Sequence, residues 1–189
     1  MEDLEEEITS CHEALSLCPP GHPGRSDSVT NLANAFFTRY QQLGMMEDLE
    51  KAIAFHREAL PLDSLDNPNR SISLSNLAGS ICTRYEQLGR MEDLEEAIKY
   101  NYEAVALCPV GYPSRSSSLI NLSSAVHICY QQLGRMEDLE EAITYNPEAL
   151  NLCPVSNPRR SICLGSLGIA VLTRYELLGR MEDLEEAIT

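Results

Sequence analysis

The string Met-Glu-Asp-Leu-Glu occurs five times in this chain, beginning at Met1, Met46, Met91, Met136 and Met181, at a spacing of 45 residues. The longer string LGRMEDLEEAI recurs unchanged from Leu88, Leu133 and Leu178. A fixed period of this size constrains the fold more than any compositional figure. Each period is one supersecondary unit, and units stack into a solenoid in which each touches only its neighbours. The 189 residues make four periods plus nine residues. About three units are enough to bury a continuous core.

Within one period the apolar spacing is helical. Val29, Leu32, Ala33, Phe36, Tyr40 and Leu43 recur at steps of three and four, which predicts a first helix, A, of about five turns. Ser26 and Asp27 are expected as its N-caps, and Gly44 as a left-handed cap at its end. The Met-Glu-Asp-Leu-Glu string opens a second helix, B, whose buried stripe is Leu49, Ala52, Ile53, His56, Ala59 and Leu60. Asp93 and Glu96 stand at capping-box spacing, whereas Asp48 and Lys51 share the spacing without the full chemistry. These carboxylates also meet the positive end of the helix dipole. A Pro- and Gly-rich loop such as Cys18-Pro19-Pro20-Gly21-His22-Pro23-Gly24-Arg25 closes the unit.

The expected fold is therefore all-α, an α-α superhelix of antiparallel helix pairs forming one array over residues 1–189. Helix B occupies 1–17, complete units span about 26–62, 71–107 and 116–152, helix A follows at 161–178, and a shortened helix B at 182–189. Neither end carries a polar capping repeat, which soluble solenoids normally have. The expectation is a piece of a longer array or a truncated gene product, whose uncapped ends are open to self-association.

Charge and cysteines narrow the function classes. A net charge of −15 speaks against nucleic acid and against an anionic membrane surface, since both need clustered Lys and Arg. No apolar run is expected to reach the roughly 20 residues that cross a bilayer. The acidic N-terminus lacks the basic and apolar regions of a signal peptide, so the expected location is cytoplasmic. Seven Cys with no Cys-x-x-Cys pair argue against a disulfide framework or a zinc knuckle. They read as reduced, small apolar residues.

Two antiparallel helices per unit, with small residues at fixed places in helix B, resemble the tetratricopeptide repeat (TPR). Leu32, Ala33 and Phe36 stand where that motif has its Leu-Gly and its helix A aromatic. Ala52 and Ala59 stand at the two small positions of helix B, and Pro19, Pro109 and Pro154 at the closing Pro. The Gly-His-Pro-x-Arg-Ser loop followed by Asn-Leu-Ala is more specifically similar to the kinesin light-chain type of repeat, and the 45-residue form to fungal arrays. The chain departs from the pattern at Ser64, which replaces the closing Pro, and at Pro61 and Pro147, where a kink is expected. Cys129 replaces the Arg found at Arg39, Arg84 and Arg174.

The resemblance implies that helix A lines the concave wall. Its outward face carries Asp27, Thr30, Asn31, Asn34, Thr38 and Gln41 in one unit and Ser117, Ile120, Asn121, Ser124, Ile128 and Gln131 in another. Asn31, Asn76 and Asn121 recur at the period, and Ser166 breaks the series. An Asn amide both donates and accepts, so a ladder of them suits the backbone of an extended peptide. Phe37, Ile120, Ile162 and Ile169 would supply apolar pockets. The competing reading is that these amides only bond neighbouring helices.

Other candidates are weaker. The acidic stripe reads first as a solvated helix start and second as a dock for a basic partner. Cys11, His12, Cys18 and His22 suggest a metal site, but the histidines have no periodic counterparts and the spacing is not that of a zinc site. No nucleophile-elbow or phosphate-loop string occurs. No cofactor or metal is expected, and carboxylates at exposed helix starts lack the environment for acid–base work.

The expected function is a non-catalytic scaffold for protein–protein interaction, holding a peptide or disordered segment on Asn31, Asn34, Asn76, Asn121, Ser124, Ile128, Gln131, Ser166 and Ile169. The alternative is the sensor or regulatory arm of a larger enzyme. The resemblance links such arrays to NTPase domains of the immune-receptor type and to caspase-like CHAT proteases. A third reading, drift in a redundant array, rests on Pro61, Pro147 and Cys129.

Overall fold

The computed structural model describes residues 2–64, 69–109, 111–153, 156 and 159–183. Among them the chain is α-helical throughout, with no strand. The helices are α1 (Glu2–Ser16), α2 (Arg25–Leu43), α3 (Met46–Ala59), α4 (Arg70–Leu88), α5 (Met91–Leu107), α6 (Pro113–Leu133), α7 (Met136–Leu152) and α8 (Arg159–Leu178). A short 3-10 turn, Leu60–Leu62, follows α3. The expected closing Pro154 and the expected helix segment over 184–189 lie outside the described residues.

Each A helix ends for the same reason. Gly44, Gly89, Gly134 and Gly179 adopt φ between 65° and 69°, which a Cβ disfavours. Their N–H groups donate to the carbonyls of Tyr40, Tyr85, Tyr130 and Tyr175 at 2.7 Å, satisfying one orphan acceptor per helix. Two residues later helix B begins, and the pairs α2–α3, α4–α5 and α6–α7 pack antiparallel, with α1 on α2 and α8 on α7. Leu32, Leu49, Ile53, Leu74, Leu77, Ile81, Leu94, Leu119, Leu122 and Leu139 are fully buried between them. Phe36 and Phe55 stack with ring centroids 5.7 Å apart.

The helix starts differ from the expectation. Gly24, not Ser26 or Asp27, precedes α2, with no side-chain cap. Ser26 instead donates to Asp63 Oδ1 at 2.7 Å. Capping boxes are not formed either: Met45, Arg90 and Arg135 precede the B helices and make no side-chain cap. The repeated Asp has another partner. Arg39 of α2 donates from Nε and Nη2 to Asp48 at 2.8 and 2.6 Å, and Arg84 does the same to Asp93 at 3.0 and 2.6 Å. Arg174 and Asp183 repeat the pair at 3.0 and 2.6 Å. These carboxylates are buried, not solvated as expected. Neutralisation by a forked guanidinium is what permits it.

The third guanidinium nitrogen reaches back to the preceding B helix. Arg39 meets Glu5, Arg84 meets Glu50 and Arg174 meets Glu140, at 2.6 to 2.9 Å. One arginine therefore ties three helices, and the charge on Arg39, Arg84 and Arg174 is held firmly by the Asp hydrogen bonds. In the third unit Cys129 leaves this clasp unmade. Asp138 is taken by Arg135, an exposed residue three positions before it, at 2.8 Å, and Arg135 also touches Cys129 Sγ.

A second periodic arginine closes the opposite end. Arg25, Arg70, Arg115 and Arg160 donate to C-terminal carbonyls of the preceding B helix, among them Cys18, Leu60, Cys108 and Cys153. A cation at this end also opposes the helix dipole. Arg25, Arg70 and Arg115 then pair with Glu58, Glu103 and Glu148 on the next B helix.

Pro61 falls in the 3-10 turn, and α3 stops at Ala59, shorter than α5 and α7. Pro147 does not end α7, which runs helical from Met136 to Leu152. One expectation about membranes is corrected: Arg160–Leu178 of α8, with mean hydropathy 1.3, is long and apolar enough to cross a bilayer by length and composition. Its uncovered side exposes Ile162, Leu164, Ile169 and Leu172. At its C-terminal end Arg174 is committed to Glu140 and Asp183.

Candidate interaction groove

From α4 onward, helix A residues of successive units meet along one side of the array. α4 touches α6 and α6 touches α8, and no pair of successive B helices makes comparable contact among the described residues. Ser75 of α4 and Ser118 of α6 bond directly at 2.8 Å. The A side is thus the more tightly drawn one, and shallow cavities follow it from helix to helix.

The candidate residues fall into two groups on this side. Asn31, Asn34 and Asn76 line a cavity of about 250 Å³ with Asp27 and Thr30. Asn76 and Asn121 line the next, of about 260 Å³, with Ile72, Ser75 and Ser117. Asn34, Asn76 and Asn121 meet again around a third, of about 190 Å³. Ser124, Ile128, Gln131, Ser166 and Ile169 surround a fourth, of about 170 Å³, between α6 and α8. Asn76 therefore lies at the junction of three cavities.

None of the amide side chains of Asn31, Asn34, Asn76 and Asn121 bonds another described residue. Bonding between neighbouring helices, the competing reading, is not how these amides are used. Their hydrogen-bonding capacity faces the cavities. Among the described residues, Asp27 is the one charged residue lining any of the four cavities, although the chain carries −15 overall.

Ile120 is corrected. It is 4% exposed and packs with Leu119, Ala149 and Cys163 in the core, so it lines no pocket. The α6 helix is turned so that Ser117, Asn121 and Ser124 face outward instead. Phe37 does reach the third cavity, while also packing against the core. Ile162 is exposed on α8.

Two groove residues were not anticipated. His56, assigned to the buried stripe of helix B, lies beneath the third cavity. His127 lies in the fourth. His56 is 2% exposed with Nδ1 unpartnered, and burial lowers its pKa to about 4. Burial also lowers that of His127, which contacts Gln131 at 3.2 Å. A signal for His56 exists in the sequence: its periodic equivalents are Asn101 and Asn146, polar residues in a stripe that is otherwise apolar.

The remaining candidates have other partners. His12 lies edge-on to Phe36 and Phe55. His22 Nδ1 accepts from the Gly24 N–H at 3.1 Å, and Cys18 Sγ from Ser28 at 3.4 Å. Among the described residues no group of His, Cys, Asp and Glu is placed to hold a metal ion. All seven thiols are free, and burial pushes Cys82 up to about 12 and Cys163 up to about 11. Such thiols stay protonated near neutrality and are poor nucleophiles.

No protein-family model matches the sequence, and no curated protein matches it. Solved structures do. Nearly identical TPR-like repeats of a Podosopora anserina protein called a kinesin light chain superpose with a TM-score of 0.64 at 20% identity, covering 97% of this chain and 85% of that one. The chain has the fold of the TPR-like repeat proteins. MamA gives a TM-score of 0.63 at 15% identity over 99% of this chain and 88% of its own. BtubC (BKLC) from P. vanneervenii gives 0.61 at 20% identity, over 97% and 72%. At these identities the likeness is one of fold.

Proposed function

We propose that this chain is a protein-interaction scaffold that holds an extended peptide or disordered segment across its A helices. The observation that carries this reading is the run of unbonded amides, Asn31, Asn76 and Asn121, one per unit. Amides one unit apart can pair with the backbone of an extended chain, which offers a donor and an acceptor at every residue. Proteins of this fold generally bind proteins or peptides. The cavity between Ile128 and Ile169 would accept an apolar side chain at the α8 end.

The test is an array of capped 12-residue peptides of varied sequence, probed with the purified chain and with Asn31→Ala, Asn76→Ala, Asn121→Ala combined. Groove binding predicts signals lost in the triple variant and little changed by salt, because the lining is almost uncharged. Signals that survive the triple variant, or that vanish in high salt, would point to the acidic helix starts instead. No feature of the groove favours the alternative of a regulatory arm for a larger enzyme.

A further inference from the structure

The third cavity has under it a buried ring with no hydrogen-bond partner at all, whereas in the fourth cavity His127, whose buried Nδ1 is also unpartnered, meets Gln131 through Nε2 at 3.2 Å. His56 comes from α3, a B helix, and reaches the A side between α2 and α4. It makes no hydrogen bond with any described residue, although it is 2% exposed. Leaving such a group unpaired is costly, so the ring that lines this cavity is unused hydrogen-bonding capacity. Around it stand Asn34, Asn76 and Asn121, whose amides are also free. Phe37 forms an apolar side of the cavity, and Gly79 leaves its rim open.

We infer that this cavity is a side-chain specificity pocket for a carboxamide, the Asn or Gln of a bound segment, with His56 as its recognition residue. This rests on the groove reading above and goes further by naming the guest. The volume, about 190 Å³, equals roughly six waters at about 30 Å³ each, enough for one medium side chain. No charged residue lines the pocket, so an ammonium, guanidinium or carboxylate would be desolvated with no opposite charge to meet it. An aliphatic guest would leave the buried imidazole unpaired and would cover part of amides that otherwise meet water. A carboxamide carries two donors and an acceptor on one plane. It can meet a neutral imidazole, which offers one N–H and one lone pair, and a neighbouring amide at once. Burial keeps that imidazole neutral at physiological pH.

The equivalent positions differ from His56 in lining no described cavity, although Asn101 is likewise buried with both amide atoms unpartnered. Asn101 and Asn146 are also buried, but Asn146 is turned back on its own structure, donating to Ser123 Oγ at 2.7 Å and Ala142 O at 2.9 Å. Neither lines a described cavity of the groove.

The experiment uses the full chain and a set of capped peptides identical except at one central position, which carries each of the twenty residues. Wild type should prefer Asn and Gln at that position. His56→Leu should abolish the preference, weakening the Asn peptide about tenfold, as the loss of one hydrogen bond near 1.4 kcal/mol implies, while leaving the alanine peptide unchanged. His56→Asn installs the residue of the next two units and so guards against misfolding; it should reduce the preference partway. A preference for charged or aliphatic residues, or one unaltered in His56→Leu, overturns the assignment. A parallel titration with N-acetyl-asparagine N-methylamide, read on the ¹⁵N resonances of the His56 ring, separates the two claims. Ring shifts without peptide binding sink the groove and keep the pocket. Peptide binding without ring shifts or carboxamide preference keeps the groove and sinks the pocket.

Discussion

Replacing Arg84 by Leu should be among the most damaging single changes outside the apolar core. Arg84 and Asp93 have side chains 11% and 7% exposed, joined by two hydrogen bonds of 3.0 and 2.6 Å. Removing the arginine leaves a buried carboxylate without its counterion, which costs about 3–5 kcal/mol. The pair with Glu50, whose side chain is 49% exposed, adds less than about 1 kcal/mol. For a chain of this length, about 3 kcal/mol lowers the melting temperature by roughly 6–12 °C. The double variant Arg84→Leu, Asp93→Leu removes both charges and should recover most of the loss, because an apolar pair of similar volume is often neutral or better. Arg135→Leu is the internal control. Arg135 is 56% exposed in its pair with Asp138, so its loss should leave the urea midpoint almost unchanged. Urea unfolding of wild type, Arg84→Leu, Asp93→Leu, the double variant and Arg135→Leu, with native-state hydrogen exchange at α4 and α5 amides, reads the effect; exchange is needed because a solenoid can open unit by unit. A cost for Arg84→Leu below about 1 kcal/mol, or a double variant equal to the sum of the singles, would refute the clasp as a buried, coupled pair.

The converse change, Cys129→Arg, should complete the clasp in the third unit through Asp138 and Glu95, 34 residues earlier as in the other units, and stabilise by about 1 kcal/mol; a lower melting temperature would contradict it. Gly89→Ala places a Cβ at φ 65° and should destabilise by about 1–2 kcal/mol, measured by urea midpoint, whereas Gly79→Ala, in open space within α4, should not destabilise. His56 has a folded pKa of about 4 against roughly 6.5 unfolded. The unfolded chain therefore binds a proton first, and stability is complete above pH 6.5, falling as pH drops toward 4 by about 3 kcal/mol from this group. Comparing urea midpoints at pH 7 and 4.5 for wild type and His56→Asn checks it, since the variant should lose that part of the slope.

Much of the architecture is legible from the period. Helical spacing of apolar residues, Gly after each A helix and the 45-residue recurrence suffice for an all-α solenoid, because each depends on local backbone preference or on a side-chain stripe that neighbours must cover. The outward residues of helix A were legible for the same reason: one face of a helix follows from 3.6-residue geometry. Ile120 was misplaced because it sits near the boundary of that face, where a small rotation of α6 decides between core and groove.

The role of the repeated Asp was not legible. Local rules make it a capping residue, and only the return of helix A beside helix B brings Arg39 to Asp48 and Arg84 to Asp93. Likewise His56 reads as one more member of a buried stripe until α3 packs on both α2 and α4 and leaves its ring lining a cavity. By itself the sequence determined the repeat, the helices and their turns, since these are set by interactions within a few residues. The tertiary structure alone decided which charges are buried and which polar groups are left unpaired, since both depend on partners from other helices and other units.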